Sequence, residues 1–195
     1  ALRCSVEFQK AGARGITLLS ASGDGGAGCA VGLFVPTFPA SCPYVTAVGG
    51  TTGGTAGRAP TGETVAALSG GGFSTFFARP SYQDAAVAAY KKTLGLPKQA
   101  MWSQTGAGFP DIAAQALGFD MCQDNFFWPI SGTSCACPSA SGLWSLLAQG
   151  RLDGGGGGAK LGWLNPLIYK LGADSPHVFN DVTEGSNNYC GGPGG

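Results

Sequence analysis

Two stretches of this chain, residues 25–57 and 125–150, carry no formal charge, and they limit the possible folds more than any other feature. Uncharged segments of that length belong in a bilayer, in a packed core, or in low-complexity filler. The first holds Pro36, Pro39 and Pro43 among many glycines, and the second holds Pro129, Gly132, Pro138 and several serines. Such residues break a spanning helix and free backbone groups that lipid cannot satisfy, so a membrane span is not expected. Filler is opposed by composition. Hydrophobic residues make up 44% and aromatics 10%, apolar surface that disordered chains lack, even though 35 Gly and 12 Pro in 195 residues approach the disordered range. One folded domain, or part of a larger one, is the expectation.

Charge narrows the partners. Charged residues are 11% of the chain and 11 basic side chains balance 11 acidic ones, so the basic patch that phosphate binding requires is missing and nucleic acid is not an expected partner. Low charge suits a secreted or acidic-compartment protein. Seven cysteines (4, 29, 42, 122, 135, 137 and 190) are many for a reducing compartment and point to disulfides. Their odd number leaves at least one thiol free or paired outside this sequence. Cys135-Ala-Cys137 with a single His is a poor zinc pattern. The opening Ala1-Leu2-Arg3-Cys4 has no signal-peptide character and reads as a processed or truncated start.

The spacing of Leu2, Val6, Phe8 and Ala11 predicts a short helix over 2–13, and Ile16 to Ala21 a buried strand. The loop Ser22-Gly23-Asp24-Gly25-Gly26 then falls at a strand's carboxyl end, where open α/β sheets place ligands. Further strands are expected over 44–49 and 126–130. Ser81-x-x-Asp84 resembles a capping box opening a helix to Thr93. Residues 135–152 have helical apolar spacing at Leu143, Leu146 and Leu147, with Ala136, Ala140 and Gly142 small enough for close packing on a sheet. Pro138 is expected in that helix's first turn. The glycine run 154–158 reads as a flexible loop, and Asn165 as the N-cap of a last helix with Pro166 at its first position.

Ser134 therefore stands at a strand-to-helix junction within Gly132-Thr133-Ser134-x-x-x-Pro138. A helix N-terminus favours a developing anion, so the pattern suits a serine nucleophile as well as it suits an ordinary N-cap. A nucleophile needs a base. The single histidine, His177, follows Ser134, whereas subtilisin-like proteases with the same Gly-Thr-Ser-x-x-x-Pro segment run in the order Asp, His, Ser. His177 reads as a loop residue.

Taken in order, a series of segments resembles the sedolisin family of serine-carboxyl peptidases. They include Arg14-Gly15-Ile16-Thr17-Leu18-Leu19, Ala21-Ser22-Gly23-Asp24, Phe38-Pro39-Ala40-Ser41-Cys42-Pro43, Gly49-Gly50-Thr51, Ser69-Gly70-Gly71-Gly72-Phe73-Ser74, Arg79-Pro80-Ser81-Tyr82-Gln83, Pro110-Asp111-Ile112-Ala113-Ala114 and Ser131-Gly132-Thr133-Ser134. The resemblance implies an α/β fold, subtilisin-like, with a mostly parallel sheet and helices on both faces, residues 1–195 being the C-terminal portion of a catalytic domain. It implies a Glu, Asp, Ser catalytic set, with Ser134 as nucleophile and Asp24 in the oxyanion hole. A carboxylic acid donates a hydrogen bond only when protonated, so such a site prefers acidic pH. Asp24 could otherwise serve only to stabilise its glycine-rich turn.

The family's base is a Glu-x-x-x-Asp pair on one helix face. Glu7, Glu63 and Glu184 are followed four positions later by Ala11, Ala67 and Asn188, so an upstream fragment or a second chain would have to supply the pair. The resemblance also implies one calcium ion, held by the Asp181 side chain and by the carbonyls of Val182, Gly192 and Gly194, with a last ligand beyond Gly195, and a Cys29–Cys190 disulfide. Peptide or protein is the implied substrate, in a secreted or lysosome-like acidic compartment. The competing expectation is a non-catalytic module of the same fold in an extracellular or structural assembly.

Overall fold

The computed structural model describes residues 1–28, 30, 33–53, 62–93, 99–154 and 160–187. In chain order its main elements are α1 (Leu2–Ala13), β1 (Leu19–Ala21), β2 (Thr46–Thr52), β3 (Thr64–Val65), β4 (Gly72–Ala78), α2 (Asp84–Tyr90), β5 (Gly106–Phe109), β6 (Ile112–Gln115), β7 (Phe119–Gln123), β8 (Phe126–Ile130), α3 (Thr133–Asp153) and α4 (Asn165–Asp174). The predicted first helix and the 126–130 strand are found as expected. The first two strands start later than the apolar runs suggest. The Ile16 N–H donates back to the Ala11 carbonyl at 3.0 Å and closes α1, and Val45 N–H donates to Cys42 in a turn at 3.1 Å. Both residues are therefore used in ending the preceding segment. The 154–158 glycine loop lies largely outside the described residues.

The sheet that positions the site is built on β2, which is buried along almost its whole length. Val48 pairs in parallel with Ala21 of β1 on one edge and with Ile112 of β6 on the other. Thr51 then pairs antiparallel with Val65 of β3, on the β1 side. The sheet is thus mostly parallel. β4 and β5 form a separate antiparallel pair, and β7 and β8 a hairpin. The hairpin turns on Asp124 and Asn125, at φ 52° and 65°. Two consecutive left-handed residues match the twist of the flanking strands, and Asp and Asn tolerate that conformation better than other side-chain-bearing residues do.

The sheet's two faces bury different groups. Val48 packs with Ala66, Ala116, Ala136 and Ala140, so α3 lies on that face, and Ala47 on the opposite face packs with Ala40 and Phe109. Small side chains at Ala136 and Ala140 let α3 come close to β2. The apolar spacing at Leu143, Leu146 and Leu147 marks the other side of α3, where these leucines are 58%, 72% and 49% exposed. The small residues, not the large ones, make the contact with the sheet.

Three local expectations are corrected. Ser81 opens a 3-10 turn, Ser81–Gln83, with no side-chain cap, and Asp84 pairs instead with Arg79 at 2.9 Å. Pro138 is the sixth residue of α3, not in its first turn, and having no N–H it cannot take the carbonyl of Ser134, four residues earlier. Asn165 is the first residue of α4 and not its cap, because its side chain is used elsewhere. Asn165 accepts the Thr46 hydroxyl at 2.6 Å and donates to the carbonyls of Pro43 and Val45 at 3.2 and 3.1 Å.

Candidate active site

β1 delivers the loop 22–28 to the carboxyl end of the parallel strands, and several backbone bonds hold that loop. Ser22 N–H donates to Val48 at 2.9 Å, Gly26 N–H to Leu68 at 2.9 Å and Ala27 N–H to Asn187 at 3.1 Å, while Gly70 N–H donates to Gly23 at 2.7 Å. Gly70 must be glycine here, since a Cβ would lie 2.1 Å from the Ser22 carbonyl oxygen. The Ser69 hydroxyl accepts the buried Gly50 N–H at 2.9 Å, and Asn187 donates to the Ser69 carbonyl at 3.1 Å. The Ser69-Gly70-Gly71 segment therefore ties the loop to β2.

From the other side β8 leads into α3 through Gly132, whose N–H donates to the Ala116 carbonyl at 2.7 Å. Ser134 is the second residue of α3 and is exposed. Its neighbour Thr133 is fully buried and joins the two halves of the site. The Thr133 N–H and hydroxyl both donate to Asp24 Oδ1, at 2.6 and 2.8 Å, and the same hydroxyl accepts the Gly23 N–H at 3.1 Å. Asp24 does for α3 what an N-cap does, from a different element: it takes an N–H that the helix cannot satisfy internally. It also places a carboxyl group at the positive end of a 21-residue helix. Close approach requires Gly132, with φ 156°, because a Cβ there would meet Asp24 Oδ2 at 2.9 Å.

The structure thus brings Ser134 and Asp24, chosen from the sequence, to one helix terminus. Thr133 was missed as the link between them; its position between Gly132 and Ser134 was the available signal, but a threonine at a helix start reads first as helix geometry. His177 is exposed in the 3-10 turn Pro176–Val178, and no hydrogen bond joins it to Ser134 among the described residues.

Asp181 is exposed and Val182 half-buried. Among the described residues neither the Asp181 carboxylate nor the Val182 carbonyl takes a hydrogen bond; carboxylate and carbonyl oxygens are hard donors of the kind calcium uses. Gly192, Gly194 and the Cys29–Cys190 pair lie outside the described residues. The described residues contain no cluster of three or more His, Cys, Asp or Glu side chains. Cys4, Cys42, Cys122, Cys135 and Cys137 are free thiols, and burial pushes the Cys42 and Cys137 thiols up from their ordinary range. No described helix is long and apolar enough to cross a membrane.

A second aspartate, Asp111, is held very differently. Its Oδ1 accepts the Tyr169 hydroxyl at 3.0 Å and Gln83 Nε2 at 3.4 Å, and its Oδ2 accepts the Ala47 N–H at 2.8 Å and Asn165 Nδ2 at 3.3 Å. Burial disfavours its charged form and these donors favour it. Burial wins, and the carboxyl is pushed up to about 6.

No protein-family model matches the chain. Tripeptidyl-peptidase 1 of Rattus norvegicus is 42% identical across 98% of this chain, and that of Homo sapiens is 42% identical across 96%. The chain spans about a third of the length of these relatives, 36% and 33%. Among solved structures, Pseudomonas sedolisin, a serine-carboxyl proteinase complexed with two molecules of pseudo-iodotyrostatin, matches with a TM-score of 0.76 at 29% identity. That match covers 97% of this chain and 53% of the other.

Proposed function

We propose, starting from a chain that is of sedolisin type in sequence and in fold, that the full protein is a serine-carboxyl peptidase acting on peptides or proteins at acidic pH. The observation that carries this reading is the convergence of Ser134 and the Asp24 carboxyl on the N-terminus of α3, with Thr133 bonded to Asp24 at 2.6 and 2.8 Å. Ser134 Oγ attacks the scissile carbonyl and its proton passes to a Glu supplied from outside this segment. Asp24, protonated, donates a hydrogen bond to the carbonyl oxygen as negative charge develops there. The C–N bond then breaks as the amine takes a proton, and water hydrolyses the acyl-enzyme to release Ser134.

The Glu-x-x-x-Asp pair belongs in this reading to an upstream portion of the protein or to a second chain. In this reading a calcium ion would be held by the Asp181 carboxylate and the carbonyls of Val182, Gly192 and Gly194, with a last ligand beyond Gly195, and would hold the C-terminal segment in place. The compartment is acidic, secreted or lysosome-like.

Peptide hydrolysis by the full protein at about pH 4–5, with and without Ser134→Ala, tests the proposal. Loss of about 10⁴-fold or more in kcat is expected, since removing a catalytic serine in related chemistry costs about 10⁶-fold. A wild-type protein without peptidase activity would favour the non-catalytic module, and a Ser134→Ala variant with full activity would remove the serine mechanism.

A further inference from the structure

Asp24 has two oxygens in unlike settings. Oδ1 receives two donors from Thr133, the N–H at 2.6 Å and the hydroxyl at 2.8 Å. Among the described residues no hydrogen bond reaches Oδ2, which faces the Gly132 backbone, 2.9 Å from where a Cβ would stand. The direction of the Thr133 hydroxyl is fixed as well. A hydroxyl carries one hydrogen and two acceptor sites; the Gly23 N–H occupies an acceptor site at 3.1 Å, and the hydrogen goes to Asp24. A backbone N–H can only donate, so Oδ1 already accepts two hydrogen bonds and has little room for a proton of its own.

We infer that Thr133 is a positioning residue for the proposed reaction: it fixes the Asp24 carboxyl so that Oδ2 is the oxygen that carries the proton and presents it beside Ser134. The inference rests on the peptidase reading and adds to it the assignment of the donor oxygen and of the residue that enforces it. Without the Thr133 hydroxyl, Oδ1 keeps one donor and the carboxyl can turn about its Cβ–Cγ bond, exchanging the two oxygens. Thr133 and Ser134 are the first and second residues of α3, so one helix end sets the nucleophile and, through Thr133, the oxyanion donor. Displacements near 1 Å in such a frame cost about 10²-fold in rate.

The test uses the full protein with Thr133→Val, which keeps shape and N–H but removes the hydroxyl, and Thr133→Ser, which keeps the hydroxyl. Expected for Val is a kcat lowered about 10- to 100-fold with KM within about twofold, because the bond matters only once charge develops on the substrate oxygen. A peptide aldehyde supplies a second probe: Ser134 Oγ bonds to the aldehyde carbon, the C=O π bond opens, the serine proton leaves through the base, and the resulting oxygen sits where the oxyanion forms. Its affinity should fall in Val by the same factor as kcat, while Ser stays within about threefold of wild type on both measures. Wild-type kcat and aldehyde affinity in Val, or equal losses in Ser and Val, overturn the inference while wild type and Ser134→Ala still support the peptidase reading. An inactive wild-type protein overturns that reading and this inference with it.

Discussion

Asp24 and Asp111 are both buttressed by side chains and backbone from distant parts of the sequence, yet they are built for opposite ends. Asp111 has a donor on every side, two on each oxygen, from β2, from α4 and from the turn before α2. Asp24 has both its donors on one oxygen, and the other, which takes none among the described residues, faces the Gly132 backbone. A carboxyl saturated on both oxygens joins elements. A carboxyl held by one oxygen is fixed in place with its other oxygen unbonded, as the mechanism proposed for Asp24 requires.

The largest consequence of this contrast is for stability. Asp111→Ala leaves the Ala47 N–H and the Tyr169 hydroxyl without their acceptor, whereas Asn165 Nδ2 keeps the carbonyls of Pro43 and Val45, and each buried donor left unpaired costs about 1–3 kcal/mol. At pH 5 a loss of about 3 kcal/mol is expected, read as a lower urea midpoint with an unchanged slope. A smaller effect follows from the raised carboxyl. Asp111 in the folded protein is pushed up to about 6 from an ordinary 3.8, so the folded state holds the proton more tightly than the unfolded one. Its contribution is fully present below about pH 4 and is lost as pH rises through 6, which amounts to about 2 kcal/mol between pH 4 and 6. Urea unfolding of wild type and Asp111→Asn across that window should show the decline in wild type and a flatter course in the variant. An equal slope in both would assign the pH dependence to other groups. The smallest effect concerns the approach of Asp24 to α3: Gly132→Ala puts a methyl 2.9 Å from Oδ2 and should lower kcat about tenfold with a melting temperature shifted by only a few degrees.

Much of this arrangement could be read from the sequence, for identifiable reasons. The first uncharged run does hold the sheet core, since β2 within it is buried almost throughout; the second does not, since β8 is exposed over residues 126–129 and only the start of α3 packs on the sheet. α1 and β8 follow local patterns and were legible as such. A helix start after Gly132 and a glycine-rich loop after Gly23 mark the positions of Ser134 and Asp24 as local signals, but their expected roles come from the resemblance to the sedolisin family. The face of α3 that meets the sheet was not legible, since both sides are apolar and only packing against β2 selects Ala136 and Ala140 over Leu143 and Leu146. The Asp111 knot was equally hidden. Gln83, Asn165 and Tyr169 lie 28, 54 and 58 positions from it, so no spacing rule joins them, and Asn165 looked like a cap because its local sequence suits one.

The division of labour between the two aspartates is best tested by measuring kcat and melting temperature at pH 5 for Asp24→Ala and Asp111→Asn in the full protein. Asp24→Ala is expected to lose about 10²–10³-fold in kcat, as removal of an oxyanion donor does, with a melting temperature only about 2–4 °C lower for the lost helix cap. Asp111→Asn is expected to melt about 5–10 °C lower while keeping kcat within about fivefold. The reverse pattern, or both properties falling together in both variants, would contradict the assignment of chemistry to Asp24 and of structure to Asp111.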